Sequence, residues 1–261
     1  MLPKPNDAFA WVQATAGPAL VCGALEPYAA HLFTTRAWPL ATAVDGNRAA
    51  AWDDVAAALG ADGAHLVRLH QVHGASFIAR KRHDIARKQL DDADVVVSDD
   101  PSLVLAIQTA DCVPLLFADA RTGAVAAAHA GWRGLAAGVP RVAVGALADT
   151  FGTRPSDLIV AIGPSISAPK YEVDDVVRST FVAAGYAGLQ LSRWFLAGTR
   201  TAHWQFDGWA SARDQLEDAG VPRAQIHQSG LCTASHPETL PSYRRDGRAA
   251  GRIAAAIRAR R

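Results

Sequence analysis

Residues 108–134, QTADCVPLLFADARTGAVAAAHAGWRG, constrain this chain more than any other stretch. Two short apolar runs, 113–117 and 124–128, have the length and composition of buried strands. The segment between them, with Asp119 and Gly123, is turn chemistry and predicts a hairpin or tight return. Each run touches a reactive side chain at one end, Cys112 before the first and His129 after the second. Strands paired end to end bring the two together. A thiolate beside an imidazole suits either zinc or a thiol nucleophile, and these residues alone leave both open.

Composition narrows the setting. Half of the 261 residues are apolar, ample material for a core. The formal net charge of +1 argues against a nucleic-acid or membrane surface, which needs a basic excess. No apolar run approaches the roughly 20 residues that span a bilayer. The opening MLPKPNDAFAWVQ has prolines and an Asp where a signal peptide has an unbroken apolar centre. Cys22, Cys112 and Cys232 are odd in number and far apart, which argues against a disulfide framework. The expectation is a cytoplasmic globular protein, a monomer of one domain over residues 1–261.

Strand character recurs at 18–25, 31–35, 64–72, 93–98, 103–107 and 158–162, with a weaker run at 224–228. Helical spacing appears at 45–59, 135–151, 174–184 and 208–219. Pro140 within the second of these predicts a kink or a later start, because proline is tolerated only in the first helical turn. Residues 248–261 read as an amphipathic helix with Ile253 and Ile257 on its face, and 189–210 shows no clear period. The charge run 81–92 reads as a solvated face. Strands and helices mix without a strict alternation, which indicates an α+β or mixed α/β unit. His73, after the alternating segment 64–72, reads by itself as a hydrogen-bonded structural residue, and Arg36, at the end of 31–35, as a surface cap.

Five motifs change that reading: QVHG around His73, TADC ending at Cys112, HAGWRG from His129, IGPSIS, and the tail CTASHPETLPSYRRDGRAAGR. In this order they resemble the YfiH-like or laccase-domain family, from about Phe33 to the C-terminus. Its members have been called multicopper polyphenol oxidases, peptidoglycan editing factors and purine nucleoside phosphorylases. The resemblance implies a four-layer α/β/β/α sandwich with mixed sheets, and metal ligands at His73, Cys112 and His129. Two imidazoles and one thiolate suit zinc, with copper a possible competitor. Three protein ligands leave a coordination position open, the mark of a catalytic site.

The implied activity is phosphorolysis of adenosine, inosine or methylthioadenosine, with adenosine deamination as a side activity. A zinc-coordinated water titrates near pH 7, which suits the deamination. Phosphorolysis needs a held phosphate, and arginine forks bind phosphate well. The candidates are Arg36, Arg48, Arg133, Arg244 and Arg245, with one of the adjacent pair expected to point away. Asp111, beside Cys112, suits acid/base work or orientation of an imidazole. Two departures stand out: the segment after Arg36 lacks the family's double glycine, and the tail has Cys232 without a second thiol. A cysteine amidase with Cys112 as nucleophile and His129 as base is the alternative. Copper polyphenol oxidation ranks last, because none of the nine histidines forms a His-x-His pair.

Overall fold

Alternation with a period of two governs the centre of the molecule. In the computed structural model, which describes residues 1–40, 49–82 and 90–260, strands bury both of their faces. Strand Val113–Asp119 sends Leu116 and Ala118 into one core and Val113, Leu115 and Phe117 into another. A strand covered on both sides has no polar face, so it reads as a continuous apolar run.

Among the described residues, sixteen strands form three sheets. The first runs in the order Phe9–Ala14, Gly17–Cys22, Ala29–Thr34, Ile253–Ala259, Val104–Thr109, Leu66–His70 and Asp91–Asp92. The second runs Ile226–Gln228, Leu158–Ile162, Val113–Asp119, Val125–Ala130, Val95–Ser98 and Phe77–Arg80. A small third sheet joins Glu172–Asp174, His203–Phe206 and Phe195–Ala197. Parallel and antiparallel pairings occur together in both large sheets.

The two large sheets pack face to face, with Phe33, Leu105, Ile107, Ile253 and Ile257 of the first against Val96, Leu116, Val125 and Ile159 of the second. Helix Ala49–Ala58 covers the outer face of the first sheet through Trp52 and Val55, joined by Leu59 just beyond it. Helices Val139–Phe151 and Gly208–Asp218 cover the outer face of the second, with Asp175–Ala183 and Gly188–Trp194 packed beyond them. The layers are α/β/β/α, as the resemblance implied.

The hairpin forms as expected, Val113–Asp119 pairing with Val125–Ala130 so that Val113 faces Ala130 and Pro114 faces His129. The helix expected over 135–151 begins later, at Val139, with Pro140 in its first turn; a separate short helix, Trp132–Ala136, precedes it. Gly138 between them has φ +83°, a conformation open to glycine and strained for other residues.

The C-terminal expectation was wrong. Residues Ile253–Ala259 are no helix but a central strand, flanked by Ala29–Thr34 and Val104–Thr109. Ile253, Ala255 and Ile257 lie on its inter-sheet face, Ala254 and Ala256 on the helix side. Isoleucines four apart satisfy both periods, and alanine favours helix intrinsically, so only the tertiary pairing decides. The aperiodic 189–210 resolves into a short helix and two strands of the third sheet. Arg48, the first residues of the helix expected from 45, and most of the charge run 81–92 fall outside the described residues.

Candidate metal centre and its cleft

The register of the second sheet builds the site. Cys112 immediately precedes strand Val113–Asp119 and His129 is the penultimate residue of Val125–Ala130, so the hairpin's open end holds both. His73 arrives from the other sheet, in the loop that leaves strand Leu66–His70 and crosses to Phe77–Arg80. One ligand atom each from His73, Cys112 and His129 lies within 4.8 Å of the other two. The two imidazoles stand edge to face, with ring centroids 4.8 Å apart.

Local chemistry fixes each donor. Gln71 makes paired hydrogen bonds to the strand Val104–Thr109: its Nε2 donates to the Gln108 carbonyl, and its Oε1 accepts from the Gln108 N–H, each at 2.8 Å. The chain then turns through His73 with φ +59°, a left-handed conformation uncommon outside glycine and asparagine. Asp94 compensates. Its fully buried carboxylate accepts the His73 N–H at 3.1 Å, the Gly74 N–H at 2.6 Å and the His129 Nδ1–H at 2.8 Å. Because the carboxylate only accepts, the His129 proton sits on Nδ1 and Nε2 is left for the cluster. Burial alone would push the Asp94 carboxyl up, but the His129 imidazole and the two amides outweigh it and hold it ionised.

Gly131 follows His129 by two residues. A Cβ there would lie 3.0 Å from the Cys112 sulfur and 3.1 Å from His73 Cδ2, so only glycine leaves room for the donors to converge. Burial raises the Cys112 thiol, but charge and hydrogen bonding from His129 and His73 reverse the shift and bring it below the ordinary thiol range. His129 moves up: burial opposes its protonation, yet Cys112 and Asp94 outweigh that. Each group thus favours the charged form of the other, the thiol shifted down and the imidazole up, and a metal ion bound there would displace a proton. The donor set fits a borderline-soft divalent ion such as zinc, and the short mutual spacing fits a single ion.

Asp111 does not orient an imidazole; Asp94 has that role. Asp111, at φ +92°, accepts from Thr233 Oγ1 at 2.5 Å and from the Arg244 N–H at 2.6 Å. It ties the Cys112 loop to the C-terminal segment. A cleft of about 740 Å³ opens over the cluster, within the usual range for small-molecule sites. His73, Asp111, Cys112, His129 and Trp132 line it together with Arg68, Arg244, Arg252, Tyr171 and Tyr243.

The arginine expectations divide. Arg244 reaches the cleft, its guanidinium 4.9 Å from the centre of the Tyr171 ring and donating to the Glu172 carbonyl at 3.0 Å. Arg133 is exposed and stacks on Trp132 at 4.3 Å, beside the cleft rather than lining it. Arg36 and Arg245 do not line it. Arg245 grips Asp246 through two donors at 2.7 Å and caps the Thr233 and Leu240 carbonyls, while Arg36 meets the same Asp246 at 2.6 Å. Of the adjacent pair, one points in and one out, as expected.

Asp94, Tyr171, Tyr243, Arg68 and Arg252 were missed as site residues. The one signal for Asp94 was an acid opening the apolar run VVVS, since a charge entering a buried strand needs partners. Tyr243 sat inside the tail motif but was passed over for the arginines beside it, and Tyr171 carried no signal.

The family model described as multi-copper polyphenol oxidoreductase laccase matches residues 40–260. A purine nucleoside phosphorylase of Bacteroides thetaiotaomicron is 36% identical over 171 residues, covering 66% of this chain but only 62% of that protein's length. The purine nucleoside phosphorylase YfiH of Escherichia coli is 38% identical over 195 residues, 73% of this chain and 72% of its own. The crystal structure of YlmD from Geobacillus stearothermophilus superposes with a TM-score of 0.82 at 29% identity, covering 96% of this chain and 99% of that one. A sandwich with a His–Cys–His cluster at the junction of its sheets, and relatives matched along most of its length, place this chain in the YfiH-like family of laccase-type domains.

Proposed function

We propose that this chain is a metal-dependent purine nucleoside phosphorylase, with zinc as the ion and His73, Cys112 and His129 as its ligands. Its products from a purine nucleoside and phosphate are the free base and ribose 1-phosphate. The observation that carries the reading is a three-donor cluster facing a cleft whose wall also presents guanidinium groups. The names of the relatives support it.

A zinc ion there supplies Lewis acidity toward an oxygen of the bound reactants. The chain's own residues do the rest. Asp94 holds the His129 proton on Nδ1 and fixes the direction of Nε2. Asp111, with each oxygen accepting a hydrogen bond, positions Cys112 and the Arg244 backbone. Arg244 presents its fork to phosphate from a perch on Tyr171. Adenosine deamination in the same cleft is the side activity: water adds at C6 and ammonia leaves.

Incubating the zinc-loaded protein with inosine or adenosine and phosphate should yield base and ribose 1-phosphate in equal amounts; inosine formed from adenosine marks the side activity. No turnover of either nucleoside by fully loaded protein overturns the reading. The closeness of Cys112 and His129, with the thiol shifted down and the imidazole up, favours a second one, the cysteine amidase. Alkylation separates the two. A zinc ligand resists iodoacetamide until a chelator is added, whereas a catalytic thiol reacts with metal present. Copper oxidase chemistry stays last, since the described residues hold a single three-donor group.

A further inference from the structure

We infer that Arg252 is the principal anion anchor of the cleft and that its ligand is the phosphate co-substrate, an inference that rests on the phosphorolysis reading. Arg252 precedes the central strand Ile253–Ala259, whose Ile253 pairs with Thr109, so its backbone lies beside the segment that leads from Thr109 into Asp111. Its side chain is half-buried on the cleft wall. One terminal nitrogen donates to the Ala250 and Gly251 carbonyls at 2.9 and 3.0 Å. Those two bonds lock the guanidinium plane and leave its other edge for a ligand.

The group carries no carboxylate partner among the described residues, unlike Arg245, which is neutralised by Asp246. Burial disfavours its charge, and the groups that offset this are Cys112, Tyr243 and Asp111, which all line the cleft. A half-buried cation with a fixed fork and no carboxylate bonded to it is a site prepared for an anion. Its position near Cys112 puts that anion next to the metal cluster. With phosphate held there, one phosphate oxygen bonds to C1′ of the ribose. The C1′–N9 bond breaks with its electron pair going to the purine, which takes up the proton that hydrogen phosphate gives up as its oxygen bonds to C1′. Arg244, seated on Tyr171 in the same cleft, supplies the second guanidinium.

Titration calorimetry with inorganic phosphate at fixed ionic strength tests this on the zinc-loaded protein. Arg252→Gln should weaken phosphate binding, and raise the phosphate KM, by roughly 10- to 100-fold, the range for a lost charged hydrogen-bonding pair. Nucleoside KM, zinc content and melting temperature should stay at wild-type values. Arg252→Lys, which keeps charge but loses the fork, should weaken phosphate several-fold, and it remains informative if the Gln variant fails to fold. Phosphate binding unchanged in a folded Arg252 variant overturns the inference while leaving phosphorolysis intact. Wild-type protein that binds no phosphate overturns it too. Wild-type protein that binds phosphate through Arg252 yet forms no ribose 1-phosphate supports the anchor and removes the reading above it.

Discussion

Asp94 touches both histidine donors, one through its side chain and one through its backbone, and two consequences follow at the scale of single residues. Asp94→Asn keeps the shape but offers an N–H₂ where His129 Nδ1–H or a loop amide needs an acceptor. Zinc affinity measured by chelator competition should fall roughly 10- to 100-fold, the usual penalty for losing such an orienting partner. Wild-type affinity would mean that the carboxylate is only structural. Gly131→Ala places a methyl 3.0 Å from the Cys112 sulfur. It should weaken zinc binding while the metal-free melting temperature stays near wild type, since the backbone there is ordinary, at φ −70°. The donors themselves were legible in the sequence through their motifs. Asp94 was not, because a lone acid before a strand looks like any strand entrance until its three partners are in place. Arg36 and Arg245 were misjudged for a related reason. Adjacency to a motif says nothing about Asp246, which takes up both.

At the scale of elements, strand Ala29–Thr34 carries a buried titratable group. His31 accepts the Cys22 N–H on Nε2 at 2.8 Å, which needs the neutral ring. Burial first, and the Arg260 charge with it, lower its pKa to about 4. Unfolded, it takes its proton near 6.5. Between those values the unfolded chain binds a proton that the folded one refuses, so this contribution to stability is complete above pH 6.5. It falls away as the pH drops to about 4, by up to about 3 kcal/mol. Urea unfolding at pH 7.5 and 5 should show this slope in wild type and a shallower one in His31→Asn; equal slopes would refute it. Gly163, after strand Leu158–Ile162, faces the other sheet. A Cβ there would lie 2.2 Å from the Phe33 ring, so Gly163→Ala should lose about 1–3 kcal/mol by overpacking between the sheets. A melting temperature within a degree of wild type would show that the ring can move. Elements with one dominant signal were readable: the hairpin through its turn, and helix Val139–Phe151 through its stripe and Pro140. The last strand was not, since RIAAAIRA fits both periods and its partners lie more than a hundred residues away in sequence. The third sheet escaped for another reason: its strands are three or four residues long.

The two large sheets of the molecule share a core, and the cluster sits where they meet. The first sheet delivers His73 and Arg252, which lines the same cleft, while the second delivers Cys112, His129 and Asp94. An ion held by all three donors would tie the layers together and stabilise the fold with the logarithm of its concentration over its Kd. The four layers followed from family resemblance rather than from strand counting, which gives the number of strands but not their order. Zinc-edge X-ray absorption on the purified, zinc-loaded protein tests the shared ion most directly. The predicted result is one zinc per chain with one sulfur at about 2.3 Å and two imidazole nitrogens at about 2.0–2.1 Å, the sulfur shell vanishing in Cys112→Ser. A substoichiometric ion, or a sulfur shell that survives the loss of Cys112, would contradict it.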